Sequence, residues 1–180
     1  MKDLSVVEDH FQQGNLAFQN RRYTEAAAAF RAAGEAARAA GDALKAAEMD
    51  NNLAVVLLQS GDPAGALKTA EGTDALFADA ADPQRQAIAL GNQAAALEAL
   101  GRRPEALEKY KTCSALLKQV NDPQRRVSVL KSISALQMRS GQFLEALVSM
   151  QAALDQSPQL SLRERMLKGL IDIPFRILNR

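Results

Sequence analysis

The 180-residue chain has no tryptophan, one cysteine and one histidine, and aromatic residues make up only 4% of it. Each scarcity excludes something. A single cysteine cannot form an intramolecular disulfide framework and fits a reducing compartment, so a cytoplasmic location is expected. His10 has no second ligand at metal spacing, so no metal site is expected. A net charge of +1 supplies no strong field for nucleic acid. No stretch approaches the roughly 20 apolar residues of a membrane span. The opening MKDLSVVEDHFQQ is acidic and polar where a secretory leader needs an apolar run. Neither a phosphate-binding glycine loop nor a nucleophile elbow occurs, so no enzyme activity and no cofactor are expected.

What the chain has is alanine, leucine and a period. Ala26, Ala66, Ala106 and Ala146 are spaced by 40, and Arg21, Gly61, Gly101 and Gly141 keep the same step. A fixed period of this size is the mark of a repeat architecture. Each unit reads as two helices. In the second, Asp42 can cap a helix through Ala46, Met49, Leu53, Val56 and Leu57, and Gly61 ends it. Asp62-Pro63 opens the next helix, which carries Ala66, Leu67, Ala70 and Leu76. Asp82-Pro83 and Asp122-Pro123 open the third and fourth units, whose turns fall at Gly101 and Gly141. The first unit is looser. It starts near Leu4, turns at Arg21-Arg22, and has Thr24 as the candidate cap of its second helix. The small residues Ala26, Ala66, Ala106 and Ala146 belong where the two helices of a pair cross. No unit can bury its apolar face alone, so stacking supplies the core.

These residues resemble the tetratricopeptide repeat. Arg21-Tyr23-Glu25-Ala26-Phe30-Ala33 matches in unit one, Gly61-Ala66 in unit two, Gly101-Glu105-Ala106-Tyr110 in unit three and Gly141-Phe143-Glu145-Ala146-Ala153-Pro158 in unit four. Gly14, Ala54, Ala94 and Ser134 fall on the family's early small position. The period exceeds the family's usual 34 residues. This long form resembles the repeats of kinesin light chains, Pins-type polarity adaptors and bacterial regulatory proteins.

The resemblance implies an all-α fold: a right-handed α-solenoid of four helix hairpins plus a C-terminal capping helix. It implies one domain over 1–180, with repeats at about 7–46, 47–86, 87–126 and 127–158 and a last helix at about 160–178. It also implies a concave groove, lined by the first helix of each pair, that takes an extended peptide of a protein partner. Gln12, Asn52, Asn92 and Ser132 fall where long repeats often hold asparagine. A ladder of carboxamides can pair with peptide backbone whatever the side chains. Phe11, Asn15, Phe18, Asn51, Val55, Leu58, Ile88, Glu98, Lys131, Met138 and Arg139 surround it. That surface suits a peptide with one or two apolar anchors. Solvated helix positions are the alternative for the same residues. Chaperone-binding members clamp a carboxylate with basic residues and asparagines. Asn15 and Asn52 match, but Phe11, Ile88 and Asn92 stand where the basic residues belong, so chaperone tails are not expected.

Three further features have ordinary readings. Cys113 shares the small packing position of Ala33, Thr73 and Ala153, so it reads as core. Arg85, Arg125 and Arg126 read as solvated helix residues, with a basic strip for an acidic partner as the alternative. Beyond Pro158, Leu160, Leu162, Met166, Leu167, Leu170 and Ile171 outline a last helix with a Ser161–Glu164 capping box. Pro174 is expected to break or kink that helix, leaving Phe175, Ile177 and Leu178 as an apolar end. From Gln159 on there are five basic and two acidic residues. Such a segment can cap the repeats, build a homodimer or lie on a membrane, in that order of expectation. A self-assembling structural element whose groove is filled by the protein itself is the rival to the adaptor.

Overall fold

The structure, a computed structural model, describes the backbone of residues 2–157 and 159–178 and the side chains of 5–157 and 159–171. Pro158 lies outside the described residues, as do the side chains of Phe175, Ile177 and Leu178. The described residues form ten helices and no strand: α1 (Lys2–Gln19), α2 (Tyr23–Ala39), α3 (Ala43–Gln59), α4 (Pro63–Ala70), α5 (Thr73–Asp79), α6 (Pro83–Ala99), α7 (Arg103–Gln119), α8 (Pro123–Arg139), α9 (Phe143–Gln156) and α10 (Leu162–Leu178). They divide into two compact units, Met1–Lys109 and Tyr110–Arg180, with the boundary inside α7.

The turns carry the period. Within the pairs, Arg21, Gly61, Gly101 and Gly141 have φ of 58°, 90°, 75° and 76°. Between pairs, Gly41, Ala81 and Asn121 have φ of 76°, 52° and 54°. Each left-handed residue lets the next N–H reach back across the helix end. Thus Asp62 N–H donates to the Leu57 carbonyl and Asp82 N–H to the Phe77 carbonyl, both at 2.9 Å. These bonds satisfy carbonyls that a helix end otherwise leaves open. Asp42, Asp62, Asp82 and Asp122 then cap the following helices, accepting from the N–H of Lys45, Gly65, Arg85 and Arg125. Thr24 does not cap α2. Arg22 holds that place without a side-chain bond, and its guanidinium instead reaches Glu25 at 2.8 Å.

In the first unit α1 packs on α2, α2 on α3, and α3 on α4, with α6 against α3, α4 and α5. Val7, Ala26, Phe30, Met49 and Val56 share one core cluster. Ala54, Ala66, Ala70 and Ala96 form a second, where α3, α4 and α6 meet at side chains no larger than a methyl group. In the second unit α8 packs on α9 and α9 on α10.

The second helix of unit two is not continuous. It breaks at Glu71-Gly72, where Gly72 has φ 79°, and restarts as α5. The anchor of the restarted helix is Phe77, 1% exposed, whereas Leu76 is left 42% exposed. The last helix also departs from its expected form. It runs on through Pro174 to Leu178, and of its described apolar side chains only Ile171 is buried.

Candidate functional site

The candidate residues sit on the first helix of each pair. On α1, Gln12 is exposed and donates to the Glu8 carboxylate at 2.6 Å, and Asn15 is half-buried. Phe11 is covered from α3 by the Lys45 ammonium, 5.2 Å from its ring centre. On α3, Asn52 and Val55 are half-buried. On α6, the half-buried Asn92 donates to the Asn51 backbone carbonyl at 3.4 Å, which ties the two helices. The carboxamides of Asn15 and Asn52 have no hydrogen-bond partner among the described residues. On α8, in the second unit, Lys131 and Ser132 are half-buried and Arg139 is exposed.

Asn51 is different from its neighbour Asn52. It is only 5% exposed, and its side-chain oxygen accepts from the Thr73 hydroxyl at 3.2 Å. That hydroxyl also bonds the Ala70 carbonyl, freed by the break between α4 and α5, at 2.8 Å. The buried Gln93 amide donates to the same carbonyl and to the Asp74 carboxylate, each at 2.8 Å. Lys109 approaches Asp74 at 3.5 Å. Asn51 therefore belongs to a buried polar network that holds a broken helix. The available signal was Gly72 standing mid-helix, in phase with Ala32, Thr112 and Ala152.

Lys131 stands at the register of Asn51 but turns toward the helix that follows its pair, not toward its own hairpin partner. Its ammonium meets Glu164 of α10 at 2.7 Å. The Lys131 bond, then the Ser161 hydroxyl and the Ser161 N–H, hold the Glu164 carboxyl down to about 2 from an ordinary 4.5. Because the folded value is depressed, the stability this group contributes is present above pH 4.5 and is lost as pH falls toward 2. The start of α10 is therefore expected to loosen over that window while the core helices hold. Amide chemical shifts followed through an acid titration check this, and Lys131→Met should move the transition upward.

No family model matches the sequence, and no curated protein matches it. Solved structures do match the fold. A crystal structure from Podosopora anserina, described as a kinesin light chain with nearly identical TPR-like repeats, superposes with a TM-score of 0.79 at 16% identity, covering 95% of this chain and 87% of that one. BtubC (BKLC) from P. vanneervenii gives 0.62 at 14% identity, over 95% and 83%. MamA protein gives 0.51 at 15% identity, over 87% and 97%. The chain has the tetratricopeptide-repeat fold.

Within this tetratricopeptide-repeat fold the other reactive side chains serve structure. Cys113 is 2% exposed, and burial pushes its thiol up to about 12, so it stays protonated at neutral pH. Arg85 and Arg125 are each turned onto the capping aspartate of their own helix, at 2.6 Å. Those bonds, led by the Arg85 and Arg125 backbone N–H groups, hold Asp82 and Asp122 below the usual carboxylate range. Arg126 bonds Ser114 and Gln156. The three arginines therefore do not form one free basic strip. Among the described residues no three of His, Cys, Asp and Glu gather as metal ligands, and no helix is long and apolar enough to cross a membrane.

Proposed function

We propose that the protein is a non-catalytic, cytoplasmic interaction adaptor that holds an extended peptide of a protein partner on the first helices of its repeats. The observation that carries this reading is the state of Asn15 and Asn52. Both are half-buried carboxamides with no partner among the described residues. A half-buried amide with spare donors and acceptors gains by meeting a peptide backbone, which offers both along its whole length. In the first unit the surface is built from Gln12 and Asn15 of α1, Asn52 and Val55 of α3 and Asn92 of α6. Lys131, Ser132 and Arg139 are a separate set on α8. Asn51 is left out, because its side chain serves the broken helix. A net charge of +1 agrees with a protein partner rather than nucleic acid.

The test is a random peptide library panned on the folded protein. Enriched peptides are expected to bind, and Asn15→Ala combined with Asn52→Ala, which breaks no hydrogen bond among the described residues, should weaken them at least about tenfold without lowering the melting temperature. Equal binding by the double variant would end the carboxamide reading.

A further inference from the structure

The outer face of the fourth pair is unlike that of the other three. Two positions of each second helix, at a step of 40, point to solvent. They hold Thr24 and Ala28, then Ala64 and Lys68, then Pro104 and Glu108, all exposed and all short or polar. In α9 the same positions hold Leu144, 77% exposed, and Val148, 53% exposed, with Phe143 exposed beside them. A second apolar face lies on α10. Leu162, Met166 and Leu170 recur every four residues, which puts them on one side of the helix, and they are 75%, 65% and 65% exposed. Two ion pairs fix which way this stripe faces. Glu164 holds Lys131 of α8 and Lys168 holds Asp155 of α9, while Ile171 is buried. Together the two faces leave six large apolar side chains exposed where solvated helix positions ordinarily carry polar ones.

The charges beside the two faces are opposite and unused. Arg163 and Arg165 flank the α10 stripe, Glu145 lies beside Leu144 on α9, and none of the three has an ion-pair partner among the described residues.

We infer that a second copy of this chain covers both faces: the α10 stripe of one protomer packs on Phe143, Leu144 and Val148 of its partner, with Arg163 and Arg165 against Glu145. A two-fold axis makes the contact twice, once in each direction. That doubling brings it toward the roughly 800 Å² per partner of a stable interface. An anionic membrane would attract the arginines but would repel Glu145, whereas a second copy satisfies both. The inference does not rest on the peptide-binding reading, because it uses only the outer face of α9 and α10.

The experiment is the solution mass of the full chain by light scattering, with its concentration dependence. A dimer is expected. Leu144→Glu and Met166→Glu should each weaken it by at least about a hundredfold with unchanged helical content, since both side chains are exposed. Glu145→Arg should weaken it about tenfold, and adding Arg163→Glu and Arg165→Glu should restore it. A full chain that stays monomeric at about 100 μM would overturn the inference. So would a dimer indifferent to both apolar variants, or a monomer that sediments with anionic vesicles through Met166.

Discussion

Ala66→Arg is expected to lower the unfolding free energy by about 4 kcal/mol or more, while Ala64→Arg, two residues away on the same helix, should change it by less than about 0.5 kcal/mol. The contrast comes from where each residue sits. Ala64 is exposed. Ala66 is 1% exposed and belongs to a cluster with Ala54, Ala70 and Ala96, closed by Leu57, Leu58 and Leu67. That cluster joins three helices, and only methyl groups separate them there. An arginine has two choices, and both are costly. It can push α4 away from α3 and α6, losing contacts across the cluster. Or it can stay between them with a guanidinium that has neither water nor a carboxylate to meet it. Ordinary domains have about 5–15 kcal/mol of stability in all, so the variant should be largely unfolded or should melt far below the parent. Urea denaturation of both variants checks this. A loss under about 1 kcal/mol for Ala66→Arg would mean that the helices are not held as closely as the alanines imply.

The same alanines explain why the repeat was legible from the sequence. Close crossing demands a small side chain at a fixed place, and the demand recurs in every pair, so the letters repeat at positions 26, 66, 106 and 146. Aspartate before proline was legible for a similar reason, because the cap is made with the aspartate's own next turn. Features decided by distant partners were not legible. Ala81 and Asn121 take left-handed turns without glycine, since the helices on both sides fix the path and the strain is borne locally. Asn51 and Asn52 are adjacent and identical in letter. One is buried against Thr73 and the other is not, and only the position of the neighbouring hairpin separates them. Leu162, Met166 and Leu170 have the spacing of a buried face, yet the ion pairs of Glu164 and Lys168 turn that face outward. Periodicity says that a face is apolar; it does not say what covers it.

Phe77→Ala tests the one helix whose existence depends most on its surroundings. Seven residues, Thr73–Asp79, are too few to hold a helix in water, where about 12–15 are marginal even for alanine-rich sequences. The segment persists because Phe77 is buried with Ala47 and Ala89, closed by Leu44, and because Thr73 and Asp74 are tied to Asn51 and Gln93. The Arg85 guanidinium lies over the ring at 5.0 Å and adds a smaller attraction. Truncating a fully buried phenylalanine removes its transfer energy and leaves a cavity, together about 3–5 kcal/mol. The alanines around it are already small and cannot move in to fill that space. The loss should first appear locally. Amides of residues 73–79 are expected to lose protection from hydrogen exchange before those of α3 and α6. The Ala70 carbonyl should keep its bond from Gln93 longest, because that bond comes from α6 and not from α5. Phe77→Leu, which fills much of the cavity, should recover most of the stability. Uniform loss of protection across the first unit, with no early release of α5, would mean that the break between α4 and α5 is no weaker than the helices around it.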